Sequence, residues 1–377
     1  MRFALIPDKF KGSLSAAGVC KALESGIRAV YPNADIRSFA ASDGGDGFLD
    51  AVRAVRSLET FHIPVEDPLG RQISAPFLFD KSNGEAFIEM AAASGMELLS
   101  PSQRDPLRTH TRGTGQLLRA ALDRGARHIY VGLGGSATND GGCGIATVFG
   151  YRFLDANGLT LEPTGSNLGR IARIVSPEEP IIPESTKITA VNDVDNPLWG
   201  PEGAAWVYAT QKGASSDDIK ALDLGLQNLD RRVAAELGIQ AGNMPGAGAA
   251  GGAAFGLHCF LRAGFVNGTD LILRLSGIGS YLRERKVDYL ITGEGRIDDQ
   301  TLRGKLIHGV VRMAVAQDIP VLAVCGKCDV PAEILHNFGL KHVLVVSDPE
   351  KPLSYNMDCA SELTTKALQD FLINEKK

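Results

Sequence analysis

Cysteine is scarce. Six residues in 377, at positions 20, 143, 259, 325, 328 and 359, are too few and too scattered for a disulfide framework. Most have apolar neighbours and are expected to be reduced thiols of a core. No run of about 18 apolar residues occurs, so no membrane-spanning helix is expected. The start, Met1 to Asp8, carries one arginine and a four-residue apolar run, too short for a signal peptide. There is no excess of positive charge: 39 Lys and Arg face 44 Asp and Glu, a net of −5. A mildly acidic chain argues against nucleic acid as its main partner. A soluble cytoplasmic protein is expected.

Several catalytic signatures are also missing. No G-x-x-x-x-G-K-[ST] occurs, which excludes a P-loop NTPase. The protein-kinase set of Gly-rich loop, H-R-D and D-F-G is absent. Ser136 does not lie in G-x-S-x-G, so a hydrolase nucleophile elbow is unsupported. None of the seven histidines forms H-x-x-x-H; His110 and His308 lie beside candidate loops and receive no role. Cys325-Gly-Lys-Cys328 is a C-x-x-C, but zinc needs two further ligands and no second pair exists. It is read as a turn at a strand end carrying two thiols.

What the chain does have is a globular composition, 44% hydrophobic and 22% charged, and 43 glycines. The length is enough for two domains or one large one. Apolar runs at 2–6 and 34–39 read as strands, separated by a helix over 15–30 capped by Ser15 and stopped at Tyr31-Pro32. Towards the other end, 287–292, 320–324 and 342–346 read as strands, with helices over about 305–317 and 361–374. This alternation predicts a parallel sheet covered on both faces. Between the two ends the pattern changes. Strands are expected at 58–65, 71–79 and 84–90, with 67–70 as a turn. A helix follows over 113–123, then strands at 127–131 and 187–191 and a helix over 217–237. The expected architecture is one α/β domain from both chain ends (1–65 and 285–377) and a second mixed α/β domain inserted (66–284), with a ligand cleft between them.

The glycines cluster where strands give way to loops. Gly132-Leu-Gly-Gly-Ser-Ala-Thr-Asn-Asp-Gly-Gly-Cys-Gly144 follows an expected strand and holds six glycines in thirteen positions. So many glycines cost more backbone entropy than a simple turn requires, so the loop is read as a phosphate cradle of main-chain amides. Pro245-Gly-Ala-Gly-Ala-Ala-Gly251 matches G-x-G-x-x-G. No strand precedes it, so the dinucleotide fingerprint is rejected. Close backbone approach remains, to a phosphate or to another helix. A third cluster, Thr292-Gly-Glu-Gly-Arg-Ile-Asp-Asp299, follows the 287–292 strand.

Charge accompanies these loops. Pro7-Asp-Lys-Phe-Lys-Gly-Ser13 follows the first strand, where open α/β sheets place ligands. Ser42-Asp-Gly-Gly-Asp-Gly47 follows the second, and its two aspartates suit either Mg²⁺ and proton transfer or an Asx turn. Asp193 and Asp195 follow the 187–191 strand and would face one side if that strand continued. Anion loops, loop lysines and unpaired acids together fit phosphoryl transfer, which needs positioning, Mg²⁺ and positive charge.

At these same blocks the sequence resembles the glycerate kinase type 1 family, the bacterial glycerate 2-kinase group. The resemblance rests on 7–14, 42–47, Glu89-Met-Ala-Ala-Ala-Ser-Gly95, 132–144, 191–197, 245–254 and 293–298, in the family's order and over almost the whole chain. It implies ATP-dependent phosphorylation of D-glycerate on the 2-hydroxyl, giving 2-phosphoglycerate and ADP, with the 3-phosphate as the alternative product. It also implies a flavodoxin-like parallel-sheet domain formed by both chain ends, with ATP and Mg²⁺ as cofactors. On this resemblance, Lys9, Lys11 and Arg71 hold the substrate. Asp193 takes the hydroxyl proton, with Asp43 as rival base and Lys9 assisting. Asp43, Asp46 and Asp298 organise Mg²⁺, and amides of Gly134, Gly135, Ser136, Gly246 and Gly248 cradle the ATP phosphates. Neither nucleic acid nor membrane is expected as a partner, and the chain would act as a monomer or homodimer. Two other classes stand against this reading: a nicotinamide-dependent hydroxy-acid dehydrogenase, which the missing strand before Gly246 opposes, and a two-domain solute-binding protein, which the missing export signal opposes.

Overall fold

A computed structural model describes residues 1–39, 47–179, 181–299, 301–302 and 306–376. The strands in chain order are β1 (Arg2–Pro7), β2 (Asp35–Ser38), β3 (Glu59–Glu66), β4 (Gln72–Asp80), β5 (Glu85–Glu89), β6 (His128–Gly132), β7 (Arg152–Leu154) and β8 (Arg173–Val175). They continue with β9 (Lys187–Val191), β10 (Gly264–Val266), β11 (Tyr289–Ile297), β12 (Val321–Cys328) and β13 (Leu340–Val345). The chain forms two compact units: 1–43, 54–56 and 269–377, and, inserted in sequence, 44–53 and 57–268.

The first unit is built on a parallel sheet ordered β2-β1-β11-β12-β13. Counted within the unit this is 2-1-3-4-5, the flavodoxin-like order. β1 is an apolar run because both of its faces are covered. Ala4 and Ile6 join Leu290, Val321 and Ala323 on one side. Phe3 and Leu5 join Ile291, Leu322 and Val324 on the other. The second face is closed by the helices Ala16–Val30 and Ala360–Glu375 through Val19, Leu23, Ile27, Leu368 and Leu372. Ser15 starts the first of these by accepting the Gly18 amide at 3.1 Å, as its sequence position predicts.

The second unit carries a six-stranded sheet, β10-β9-β6-β5-β4-β3. β5, β6, β9 and β10 are parallel, and β4 and β3 are antiparallel additions. One large core covers it, fed by the helices Arg112–Asp123, Ser216–Leu237 and Ala249–Leu261.

Two expectations change. The chain passes between the units at 44, 54, 57 and 269, where the sequence pattern placed boundaries near 65 and 285. β3 pairs along its whole length with β4 and so belongs to the second sheet. Helices Gly268–Ser276 and Ile278–Glu284 place Leu273, Ile278 and Leu282 in the core around Ala4 and Leu290. Nor is Cys325 to Cys328 a turn. The β11–β12 ladder continues past the apolar run, pairing Arg296 with Lys327 and Ile297 with Cys328. No helix among the described residues is long and apolar enough to cross a membrane.

Candidate functional site

The Gly-rich loop after β6 is fixed at both ends by its own unit. Leu133 donates to Val191 O at 3.1 Å, and Ala137 to Ser94 O at 2.9 Å. Thr109 Oγ1 donates to Ala137 O at 2.8 Å. The second half is organised by Asp140, which is completely buried. Its Oδ2 accepts from Thr111 N and Thr111 Oγ1 at 2.8 Å and from Gly144 N at 3.0 Å. Its Oδ1 accepts from Gly142 N at 3.1 Å. Burial pushes this carboxyl above its ordinary range, while the hydrogen bonds from Thr111, Gly144 and Gly142 pull it back down. Asp140 thus fills the start of the helix Cys143–Val148 with a carboxylate of the protein itself.

The first half remains open to a ligand anion. The amides of Gly134 and Gly135 have no acceptor among the described residues, and Gly135 has φ +68°, a left-handed conformation that turns successive amides to one side. Ser136 follows directly. Its Oγ accepts from Lys212 Nζ at 2.9 Å, and the same ammonium donates to Thr138 O at 2.7 Å. Lys212 is only 2% exposed, and burial pulls its pKa down to about 7 despite the field of Asp140.

The segment 245–256 is the packing partner of this loop. A Cβ on Gly251 would lie 2.0 Å from Thr138 O, and one on Gly256 would lie 2.5 Å from Gly141 O. Gly246 and Gly248 approach the chain at 192–197 in the same way, and the Gly248 amide donates to Asn196 O at 2.9 Å. These glycines lie close to protein backbone. Unlike the amides of Gly134 and Gly135, the Gly248 amide has an acceptor within the protein. A turn, not a strand, precedes Gly246, as its sequence implies.

β9 ends at Val191, so the condition for Asp193 and Asp195 to share a strand face is not met. Asp193 Oδ1 instead accepts from Gly268 N at 2.6 Å, where the chain leaves this unit, and Asp195 is exposed. Arg71 is held within the Asp67 turn. Its Nε donates to Asp67 Oδ2 at 2.5 Å, and Asp67 Oδ1 accepts from Leu69 N and Arg71 N. Glu89, at the end of β5, caps the helix Phe48–Val55: Gly47 N donates to Oε1 and Leu49 N to Oε2, both at 3.1 Å.

In the first unit, the loop after β1 starts against β11, at the point where the strand order reverses. Asp8 N donates to Gly293 O at 2.8 Å. Phe10 is buried and closes a small loop with Leu14, leaving the flanking Lys9 and Lys11 exposed. Asp298 lies beside Thr301, whose Oγ1 accepts the Asp298 amide and donates to Glu294. Asp43 and Asp46 lie outside the described residues. Among the described residues no three His, Cys, Asp or Glu side chains gather as a metal cluster.

Sequence reasoning missed Lys212 and the capping role of Glu89. Lys212 contacts residues more than 70 positions away, and a single lysine before Gly213 carries no local signal. Glu89 falls at the boundary of an apolar strand, where an acid is unremarkable.

A flavodoxin-ordered sheet with basic residues at its reversal point, and an inserted mixed sheet with an open amide turn, define an α/β protein suited to anionic ligands. Comparison makes the assignment definite. The glycerate kinase family model matches residues 3–373, and the chain belongs to that family. It is 41% identical over 337 residues to a glycerate kinase of Halalkalibacterium halodurans, covering 89% of this chain and 88% of that one. It is 37% identical to the glycerate 2-kinase of Escherichia coli K12, covering 92% and 90%. A crystal structure of a Salmonella typhimurium LT2 protein assigned as glycerate kinase 2 superposes with a TM-score of 0.83 at 36% identity, over 100% of this chain and 98% of that one.

Proposed function

We propose that the protein transfers the γ-phosphoryl group of ATP to the 2-hydroxyl of D-glycerate, giving 2-phosphoglycerate and ADP. Family membership over residues 3–373 and relatives named glycerate kinase and glycerate 2-kinase support the reaction. The observation that carries the site is the pair of unclaimed amides at Gly134 and Gly135, next to a serine hydroxyl that accepts from a buried ammonium. Main-chain amides and a cation are what a polyphosphate needs.

The remaining roles follow from chemistry. Lys9 and Lys11 are exposed cations at the end of a central parallel strand, and they bind the glycerate carboxylate and the transferred phosphoryl oxygens. Arg71 completes that set less readily, because Asp67 already holds its Nε. The 2-hydroxyl oxygen bonds to Pγ as the bond from Pγ to the β,γ-bridging oxygen breaks, and its proton passes to Asp193, with Asp43 as the competing acceptor. Asp298, Asp43 and Asp46 would offer Mg²⁺ carboxylate oxygens, the ligands that it accepts alongside phosphate oxygens. When bound, the metal would supply charge neutralisation on the phosphates.

The test is phosphorus NMR of the product formed from D-glycerate and ATP, against authentic 2- and 3-phosphoglycerate. The proposal expects the 2-isomer and one ADP per product. The 3-isomer would replace the regiochemistry, and no glycerate-dependent ADP would overturn the activity.

A further inference from the structure

The geometry points to Lys212 as the positioning residue of the nucleotide turn, acting through Ser136 on the phosphate oxygens. This rests on reading the Gly134–Ser136 turn as the ATP phosphate site.

Lysine is almost never fully buried unless paired. Here the ammonium is buried, and no carboxylate among the described residues lies within ion-pair distance of it. Its bonds run instead to Ser136 Oγ and Thr138 O, two residues apart in one loop. Taking an ammonium out of water without a counter-charge carries a desolvation cost that an apolar side chain does not. The ammonium therefore needs a reason, and its bond to Ser136 supplies one. A hydroxyl that accepts from an ammonium keeps its own hydrogen to donate, and the cation polarises that O–H towards an anion. The second bond fixes the carbonyl at Thr138 and with it the exit of the turn.

Unmet hydrogen-bonding capacity also concentrates here. Of seven buried side-chain polar atoms without a partner among the described residues, three belong to Thr138 and Asn139. Asp140 is the charged group that acts on Lys212 from the loop, and His110, kept below its ordinary pKa by burial, stands beside Asp140 in the same field. A polyphosphate held through Ser136 adds negative charge near Lys212 and raises its proton affinity. Nucleotide binding above pH 7 should then take up a proton.

The experiment compares wild type, Lys212→Met, Lys212→Arg, Ser136→Ala and Gly135→Ala, each checked for folding by a thermal melt. It measures kcat and the separate KM values for ATP and glycerate from pH 6.5 to 9, and proton uptake on binding a non-hydrolysable ATP analogue. Lys212→Met should raise the ATP KM about tenfold or more and leave the glycerate KM near wild type, with partial recovery in Lys212→Arg. Ser136→Ala should move the same parameter, and the wild-type ATP KM should rise above pH 7. If Lys212→Met does not fold, Ser136→Ala and the wild-type pH profile decide: an unchanged ATP KM together with no proton uptake overturns the proposal. If Gly135→Ala impairs ATP binding while folded Lys212→Met does not, this inference alone fails. If neither variant affects ATP, the turn is not the nucleotide site and the site reading fails with it.

Discussion

Replacing Lys212 by methionine should change how stability depends on pH. Burial lowers the Lys212 pKa to about 7 in the folded protein, against about 10.4 in the unfolded chain. Between these values the unfolded chain binds more protons, so wild-type stability rises with pH through this window. The penalty on the folded state is on the order of 4 kcal/mol at pH 7, where the lysine is half protonated, and falls to roughly 2 kcal/mol at pH 9. Lys212→Met removes the titration and should flatten the curve by the difference, about 2 kcal/mol. At pH 7 the relief is offset by Ser136 Oγ and Thr138 O losing their donor, at about 1–3 kcal/mol each. The two proteins should therefore be similar in stability near neutrality and diverge at pH 9, with wild type ahead. Both tryptophans, Trp199 and Trp206, lie in the second unit, so urea unfolding followed by tryptophan fluorescence reports the unit that contains Lys212. Curves that remain parallel from pH 7 to 9 would mean that the lysine is not desolvated.

Other substitutions test the roles of single residues. Asp193→Asn should lower kcat by roughly 10²–10⁴-fold in a folded protein; wild-type turnover in single-turnover kinetics would remove Asp193 as the base. Lys9→Ala should raise the glycerate KM about tenfold, with a smaller effect on ATP; unchanged KM and kcat would dismiss its role. Gly251→Ala should destabilise by about 2–5 kcal/mol in urea, combining a left-handed backbone with overpacking: Gly251 has φ +68° and its added Cβ would strike Thr138 O. Asp140→Asn should cost about 3–5 kcal/mol, because an amide nitrogen would face donors that now meet a carboxylate; a melting temperature equal to wild type would contradict the network around Thr111.

The sequence was most legible where local chemistry and burial agree. β1 is a short apolar run because it lies inside the sheet, and Ser15 marks the following helix by a bond it makes there. β9 covers the same residues as its apolar pattern, 187–191. Legibility failed where pairing or packing overrides pattern. β11 and β12 run on through Gly293, Arg296 and Lys327, which carry no strand signal but pair with each other's strand. The helix Ala249–Leu261 was hidden because its first turn contains Ala250, Gly251 and Gly252 at positive φ. Its glycines left phosphate and helix packing equally open in the sequence, and Gly251 and Gly256 lie against Thr138 and Gly141. At the site, the loop 132–144 was recognisable from glycine density, but not the division of labour within it. That division depends on Thr111 reaching Asp140 and Lys212 reaching Ser136, contacts between distant residues with no periodic trace.

If the open amides of Gly134 and Gly135 receive the nucleotide's phosphates, their own resonances report it. Amide NMR of the whole protein during titration with magnesium and a non-hydrolysable ATP analogue tests it directly. Saturable shifts of the Gly134 and Gly135 amide resonances are expected, with the Asp140-bound amides of Gly142 and Gly144 changing far less. Saturable nucleotide binding that leaves Gly134 and Gly135 unshifted would contradict it.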